Sequence, residues 1–216
     1  MAWRGDQEAE LVHKLNGRKP HPPTKTLDEV GGRNTTDPDS RVMKTWQEFV
    51  QAYNAQASVD IESGFITGAF VTQDVSDQRQ LNRHIGEVHE NLGTLPLADA
   101  GFWKNEEVLS APPGVELFIA AINSKKQRNR EDQPSPRGRI PERLTLRRRM
   151  DRILRTDRGK RLYKLRSQTI EPTFGQIKEG RGIRRFLLRS KPKVEGEWQL
   201  ITLGYNVLKL WRPQTG

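Results

Sequence analysis

The stretch Leu95-Pro-Leu-Ala-Asp-Ala-Gly-Phe-Trp103 decides the fold class. Apolar residues lead into Asp99, and Ala100-Gly101 break the pattern directly after it, so "LPLA" predicts a short buried strand that ends at an acid. What lies on either side sets how that strand pairs. Upstream, "SDQRQLNRHIGEVHENLG", residues 76–93, puts Leu81, Ile85 and Val88 on one face. That spacing predicts a helix, with Ser76 or Asp77 to start it and Gly93 to end it. Before the helix, "RVMKTW" and "EFVQAYNAQASVDI" alternate like strands, and "ESG" precedes "FITGAFVTQ". Gly64 can take the positive φ of a tight turn, so residues 50–72 read as a β-hairpin. Downstream, "NEEVLSA" has room for one or two helical turns, and "VELFIAAI", residues 115–122, is a further apolar run of strand length. A strand, a helix and a further strand imply a parallel crossover. The expected fold is therefore α/β, a mixed sheet with an antiparallel hairpin on one side and flanking helices.

The outer parts of the chain are less regular. Residues 1–40 are rich in Pro, Gly and small polar residues and read as a loose polar segment, followed by one domain over 41–216. A charged, Pro-containing linker is expected at about 123–140. From Pro141 to about Gly180 the chain reads as basic helix. In the last segment, Trp198, Ile201, Tyr205, Leu208 and Trp211 form one helical stripe, with Leu200, Leu203, Val207 and Leu210 beside it. A helix apolar over that width is expected to be buried.

The charge is concentrated. The chain carries a net charge of +10, yet residues 137–191 hold 19 Lys and Arg against 5 Asp and Glu, so the rest is slightly acidic. A segment of this kind attracts phosphate backbones and binds them in a salt-dependent way, which makes double-stranded DNA the expected partner. There is no cysteine, which excludes disulfides, Cys-ligated zinc and thiol catalysis. No apolar leader begins the chain, and no run approaches the roughly 18 apolar residues of a membrane span. These features fit a cytoplasmic, nucleoid-associated protein with no membrane partner. His84 and His89 are five apart on the predicted helix, whereas a helical zinc pair prefers a spacing of four. No Ser-His-Asp pattern and no phosphate-cradling Gly loop is present.

Two acids stand out as carriers of chemistry. Asp99 is placed at the carboxyl end of a parallel strand, the edge where α/β sheets hold ligands and metals. An Asp that merely caps the next short turn would look the same, so both readings stand. Glu171 sits between Ile170 and Pro172 within "RLYKLRSQTIEPTFGQIKEGRGIRRF", residues 161–186, which carries seven Lys and Arg. A carboxylate on a basic helix is either a surface ion-pair partner or a metal ligand. Pro172 cannot donate to the carbonyl of Gln168, so a kink or restart is expected there. Together the two acids suit phosphoryl transfer on DNA, which needs hard oxygen ligands for Mg²⁺ or Mn²⁺.

Tyr163, Arg166, Glu171 and Lys178 resemble the Tyr-Arg-Glu-Lys signature of bacterial insertion-sequence DDE transposases. "TDPDSRVMK", "YNAQASVD", "LADAGFW", "EPTFGQIKEGRGIRRFLLR" and "GEWQLITLGYNVLKLW" resemble blocks of one branch of that group, in order, from about Thr36 to Trp211. The resemblance implies an RNase H-like fold with three acids around two Mg²⁺ or Mn²⁺ ions, and cutting and joining of DNA at the element's ends. It makes Asp99 the second acid and Glu171 the third, and it sets Tyr163, Arg166 and Lys178 near the DNA strand at the cut. Arg181, Arg184 and Arg185 continue the basic track expected to hold DNA.

Two features depart from the family pattern. Four residues rather than three separate Arg166 from Glu171. No Asp-Gly-Thr-like block supplies the first acid either, and among Asp6, Asp37, Asp39 and Asp60 the least poor substitute is Asp60. The chain is therefore expected to lack the first strand and the upstream DNA-binding region, to have reduced or no activity alone, and to expose a sheet edge that invites pairing with another chain. A homo-oligomer is among the expected partners. The alternatives are a non-catalytic DNA-binding remnant or inhibitor of a full-length transposase, and a basic RNA-binding protein.

Overall fold

A computed structural model describes residues 34–45, 48–89, 95–120 and 134–211. Most of the expected loose start and of the expected linker lies outside them. Two strand pairs come first. β1 (Arg41–Lys44) pairs antiparallel with β2 (Phe49–Ala52), and β3 (Asn54–Val59) pairs antiparallel with β4 (Ile66–Thr72). The hairpin expected over 50–72 is thus present, but its turn joins β3 to β4, and residues 49–52 belong to the preceding pair. Gly64 has φ +65° and takes the position the turn demands. Asp60 closes that turn, its carboxylate accepting from the backbone N–H (2.8 Å) and hydroxyl (2.5 Å) of Ser63. These bonds hold the Asp60 carboxyl below its ordinary range. Its carboxylate is thus engaged at the hairpin tip.

Helix α1 (Leu81–His89) follows a 3-10 turn at Asp77–Arg79 that Ser76 caps. Leu81 and Ile85 are buried, as the periodicity predicts. β5 (Leu97–Ala98) and β6 (Phe118–Ile119) pair in parallel, with helix α2 (Asn105–Leu109) in the connection between them. The single mixed sheet expected from the sequence is not formed: the described strands make three separate two-stranded sheets. The parallel ladder is only two residue pairs long and does not pair with the hairpin.

The basic segment folds as two helices, α3 (Leu146–Leu154) and α4 (Asp157–Gly175), rather than one. Thr156 breaks the run by capping α4, its hydroxyl accepting from the Gly159 N–H at 3.0 Å. A Cβ on the buried Gly159 would stand 2.2 Å from the Ile153 carbonyl oxygen, so the elbow between α3 and α4 closes only over a glycine. The helix runs through Pro172 and ends in a π-helical turn, Gln176–Gly180, that buries Ile177. Arg158, in the first turn of α4, grips Glu116 through both guanidinium nitrogens (2.5 and 2.7 Å) and lies over the Phe118 ring. This two-point contact holds α4 against the parallel pair. Leu81, Ile85, Trp103, Phe118, Ile119, Met150 and Leu154 form the core there.

A second core gathers Ile66, Val71, Ile177, Val194, Trp198 and Tyr205 between the hairpin and helix α5 (Lys191–Trp211). The Trp198 indole donates to the Gln56 carbonyl at 2.8 Å. Asn206 bonds both backbone groups of Ile66, accepting from its N–H (2.9 Å) and donating to its carbonyl (2.8 Å), as a neighbouring strand would. The start of α5 is capped from far away in sequence: Asp37 accepts from the Ser190 N–H and Asp39 from the Lys191 N–H. One expectation is corrected here. Only one face of α5 is buried, whereas Leu200, Leu203, Val207, Leu208, Leu210 and Trp211 are exposed. The hairpin is narrower than the apolar width of the helix.

Asn206→Ala should lower stability by about 1–3 kcal/mol, because it leaves the buried Ile66 edge without partners. Urea denaturation followed by circular dichroism measures this.

Candidate functional site

Asp99 directly follows β5 and starts the 3-10 turn Ala100–Phe102, its Oδ1 accepting from the Gly101 N–H at 2.7 Å. The residue follows the strand as expected, and its carboxylate caps the turn, which is one of the two roles the sequence left open. Gly101 matters because a Cβ there would meet Asp99 Oδ1 at 2.9 Å and Asp77 Oδ2 at 3.4 Å. Two carboxylates therefore face one notch. Asp77 has only the character of a helix-start residue in the sequence, and what brings it to Asp99 is tertiary packing of two 3-10 turns.

Asp77 is held by β3. Its Oδ1 accepts from Asn54 Nδ2 and Gln56 Nε2, both at 2.7 Å. Because the Gln56 amide nitrogen donates there, its oxygen is the acceptor facing His84 Nε2 at 2.9 Å. His84 Nε2 therefore carries the proton, and Nδ1 accepts from the Ser58 hydroxyl at 2.7 Å. Residues 54, 56 and 58 share one face of β3, as the strand period requires. The His84 ring packs against Phe70 and Phe102. Burial pushes it down to about 4, with Asp77 opposing and Arg83 assisting. A chain of neutral donors thus runs from Ser58 through His84 and Gln56 to the Asp77 carboxylate.

The second half of the site is on α4. Tyr163 is half-buried and packs against the core beside β5. Arg166 stacks its guanidinium over the Tyr163 ring at 5.3 Å. It reaches Glu171 at 3.6 Å, with the arginine side chain 21% exposed and the glutamate 66%. Four intervening residues place these two beyond the usual helical neighbour spacing, which accounts for the long contact. Arg166 Nε is buried with no hydrogen-bond partner among the described residues. Burial chiefly raises the Tyr163 phenol above its ordinary range. Arg166 opposes this, and the charges of Asp99 and Glu171 add to it.

The remaining basic residues lie past the end of α4. Lys178 rests over the Phe174 ring (5.4 Å), Arg181 over the Tyr205 ring (5.5 Å), and Arg184 pairs with Glu179. Arg185 is exposed. The structure thus groups Tyr163, Arg166 and Glu171 on α4, sets Asp99 beside Asp77, and leaves Lys178, Arg181 and Arg184 with local partners of their own.

Carboxylate oxygens are the right donors for a hard divalent ion. Yet among the described residues no three His, Asp or Glu side chains are placed to hold a metal together. Asp77 and Asp99 share the notch at Gly101, while Glu171 pairs with Arg166 on α4. That donor set does not fit a complete two-ion centre.

Residues 123–211 match the family model described as "Transposase DDE domain". The match covers 89 of the 216 residues and is a likeness of that part of the chain to a transposase DDE domain. It spans α3, α4 and α5, and so Glu171 and the residues around it, whereas Asp99 lies before it. No curated protein and no solved structure matches the chain. Among the described residues no helix is long and apolar enough to cross a membrane.

His84 makes stability pH-dependent. Above about pH 6.5 the ring is neutral in both states. Between 6.5 and 4 the unfolded chain binds a proton that the fold refuses, so stability falls as pH drops through this window, by up to about 3 kcal/mol. Urea midpoints at pH 7 and 4.5 should therefore differ more in the native chain than in His84→Gln.

Proposed function

We infer that the chain is the DNA-handling part of a transposase whose reaction is metal-dependent cleavage and joining of DNA at the ends of an insertion sequence. One observation carries this reading: residues 123–211, which include Glu171 and the strongly basic segment, match a transposase DDE domain. In this reading Asp99 and Glu171 are two carboxylates of an RNase H-like site. They would hold one divalent ion, Mg²⁺ or Mn²⁺, which would supply Lewis-acid charge for phosphoryl transfer. Arg166 keeps Glu171 turned toward Tyr163. Lys178, Arg181, Arg184 and Arg185 continue the positive surface along which double-stranded DNA lies, within the strongly basic residues 137–191. The aromatic rings beneath Lys178 and Arg181 support their side chains while leaving the charges for phosphate.

The absence of a three-acid group among the described residues favours a second reading, a DNA-binding protein that does not cut by itself. The two readings agree on DNA and differ on chemistry.

Fluorescence anisotropy with labelled duplex DNA should show binding that weakens steeply with salt. Arg184→Glu with Arg185→Glu should reduce affinity roughly ten-fold or more, since two cations become two anions. Asp99→Ala and Glu171→Ala should leave affinity nearly unchanged. Salt-insensitive binding, or equal binding by the charge-reversed variant, would remove the DNA track.

With Mn²⁺ and duplex DNA carrying element ends, cleavage by this chain alone should be weak or absent and should vanish in Asp99→Ala and Glu171→Ala. Strong cleavage that survives both substitutions would remove these acids from the chemistry.

A further inference from the structure

Helix α5 carries an apolar seam that the fold does not use. Leu200, Leu203, Val207 and Leu210 are spaced three, four and three apart, and Leu208 and Trp211 flank them. These six side chains are between 43% and 81% exposed. From Gln199 to Leu208 the helix has no charged residue. The alternating three-four spacing is the repeat by which one helix packs along another, each side chain seated between side chains of the facing helix.

We propose that this seam is the interface of a homodimer, formed by the α5 helices of two copies lying antiparallel about a two-fold axis near Tyr205. The spacing is self-complementary about that point. The axis sets Leu200 against Leu210 and Leu203 against Val207 across the interface, which a two-fold interface requires of any surface that meets its own copy. Antiparallel helices also place opposite ends of their dipoles side by side. Gly204 lies alongside the seam, and a Cβ there would meet only the Arg181 guanidinium, at 3.9 Å.

Area supports the same occupant. Taking roughly 150–250 Å² as the full area of a large apolar side chain, the six leave on the order of 700 Å² uncovered. A contiguous apolar patch on a monomer is typically about 300–600 Å². Two copies would bury about 1,400 Å² together, within the range of about 1,200–2,000 Å² for stable interfaces. The six side chains of the seam are themselves uncharged, which suits another apolar face better than a phosphate backbone, although Arg181 flanks them at Gly204.

The test uses the whole chain. Sedimentation equilibrium should show a monomer–dimer equilibrium between about 1 and 100 µM. Leu203→Glu and Val207→Glu should shift it to monomer while far-ultraviolet circular dichroism stays unchanged. The chain has no cysteine, so Leu200→Cys and Leu210→Cys report the orientation. Mixed under mild oxidation they should cross-link to each other far more than either does to itself. A chain that is monomeric throughout, a Leu203→Glu variant that folds and still dimerises, or cross-linking of each cysteine variant mainly to itself would overturn the proposal. So would a monomer that binds phosphatidylcholine vesicles through this face.

Discussion

Everything described here depends on how α5 grips the β3–β4 hairpin. A two-stranded ribbon is marginal on its own in water. Here α5 supplies what a third strand would, with Asn206 completing the backbone bonds of Ile66 and the Trp198 indole taking the Gln56 carbonyl. The acids Asp37 and Asp39 fix where the helix starts. Gln56 then does two jobs at once. Its backbone anchors the helix, and its side chain joins His84 to Asp77. The polar chain that sets Asp77 is thus anchored to the same residue as the hydrophobic clamp.

A different contact governs the other half of the site. The grip of Arg158 on Glu116 ties the first turn of α4 to the approach of β6, and the apolar core fills the gap behind it. Tyr163 lies little more than one turn further along and packs against that core. Glu171 is two turns beyond Tyr163, exposed and paired with Arg166. One acid is therefore set by the tight turn around Gly101, and the other is free to move with its side chain. The charges of the two acids raise the Tyr163 phenol in the same direction, and burial adds the larger part.

Local signals in the sequence were legible where one residue decides the geometry. Gly64 marks the hairpin turn, Leu81 and Ile85 mark the buried face of α1, and the break after "LPLA" marks Asp99 as a strand-end residue. Features set by partners distant in sequence were not. Nothing around Asp77 announces that it will share a notch with Asp99, because that depends on two short turns meeting. The π-helical turn after α4 follows from packing Ile177 under α5. The apolar breadth of α5 looked like a buried helix, since composition shows how much surface seeks cover but not whether one chain can cover it. The strands were read in the right places, yet their assembly into three small sheets is a matter of pairing across the chain. The break at Thr156 did have a signal, a capping residue three before Gly159, but the unbroken basic composition masked it.

The corner at Gly159 has one more implication. With the Ile153 carbonyl pressed against its Cα, the two arginine-bearing rods cannot swing relative to each other without opening that corner. The charges of α3 and those of α4 are thus held at a fixed spacing, like teeth on one key. A duplex that meets both rods must match that spacing by its own curvature.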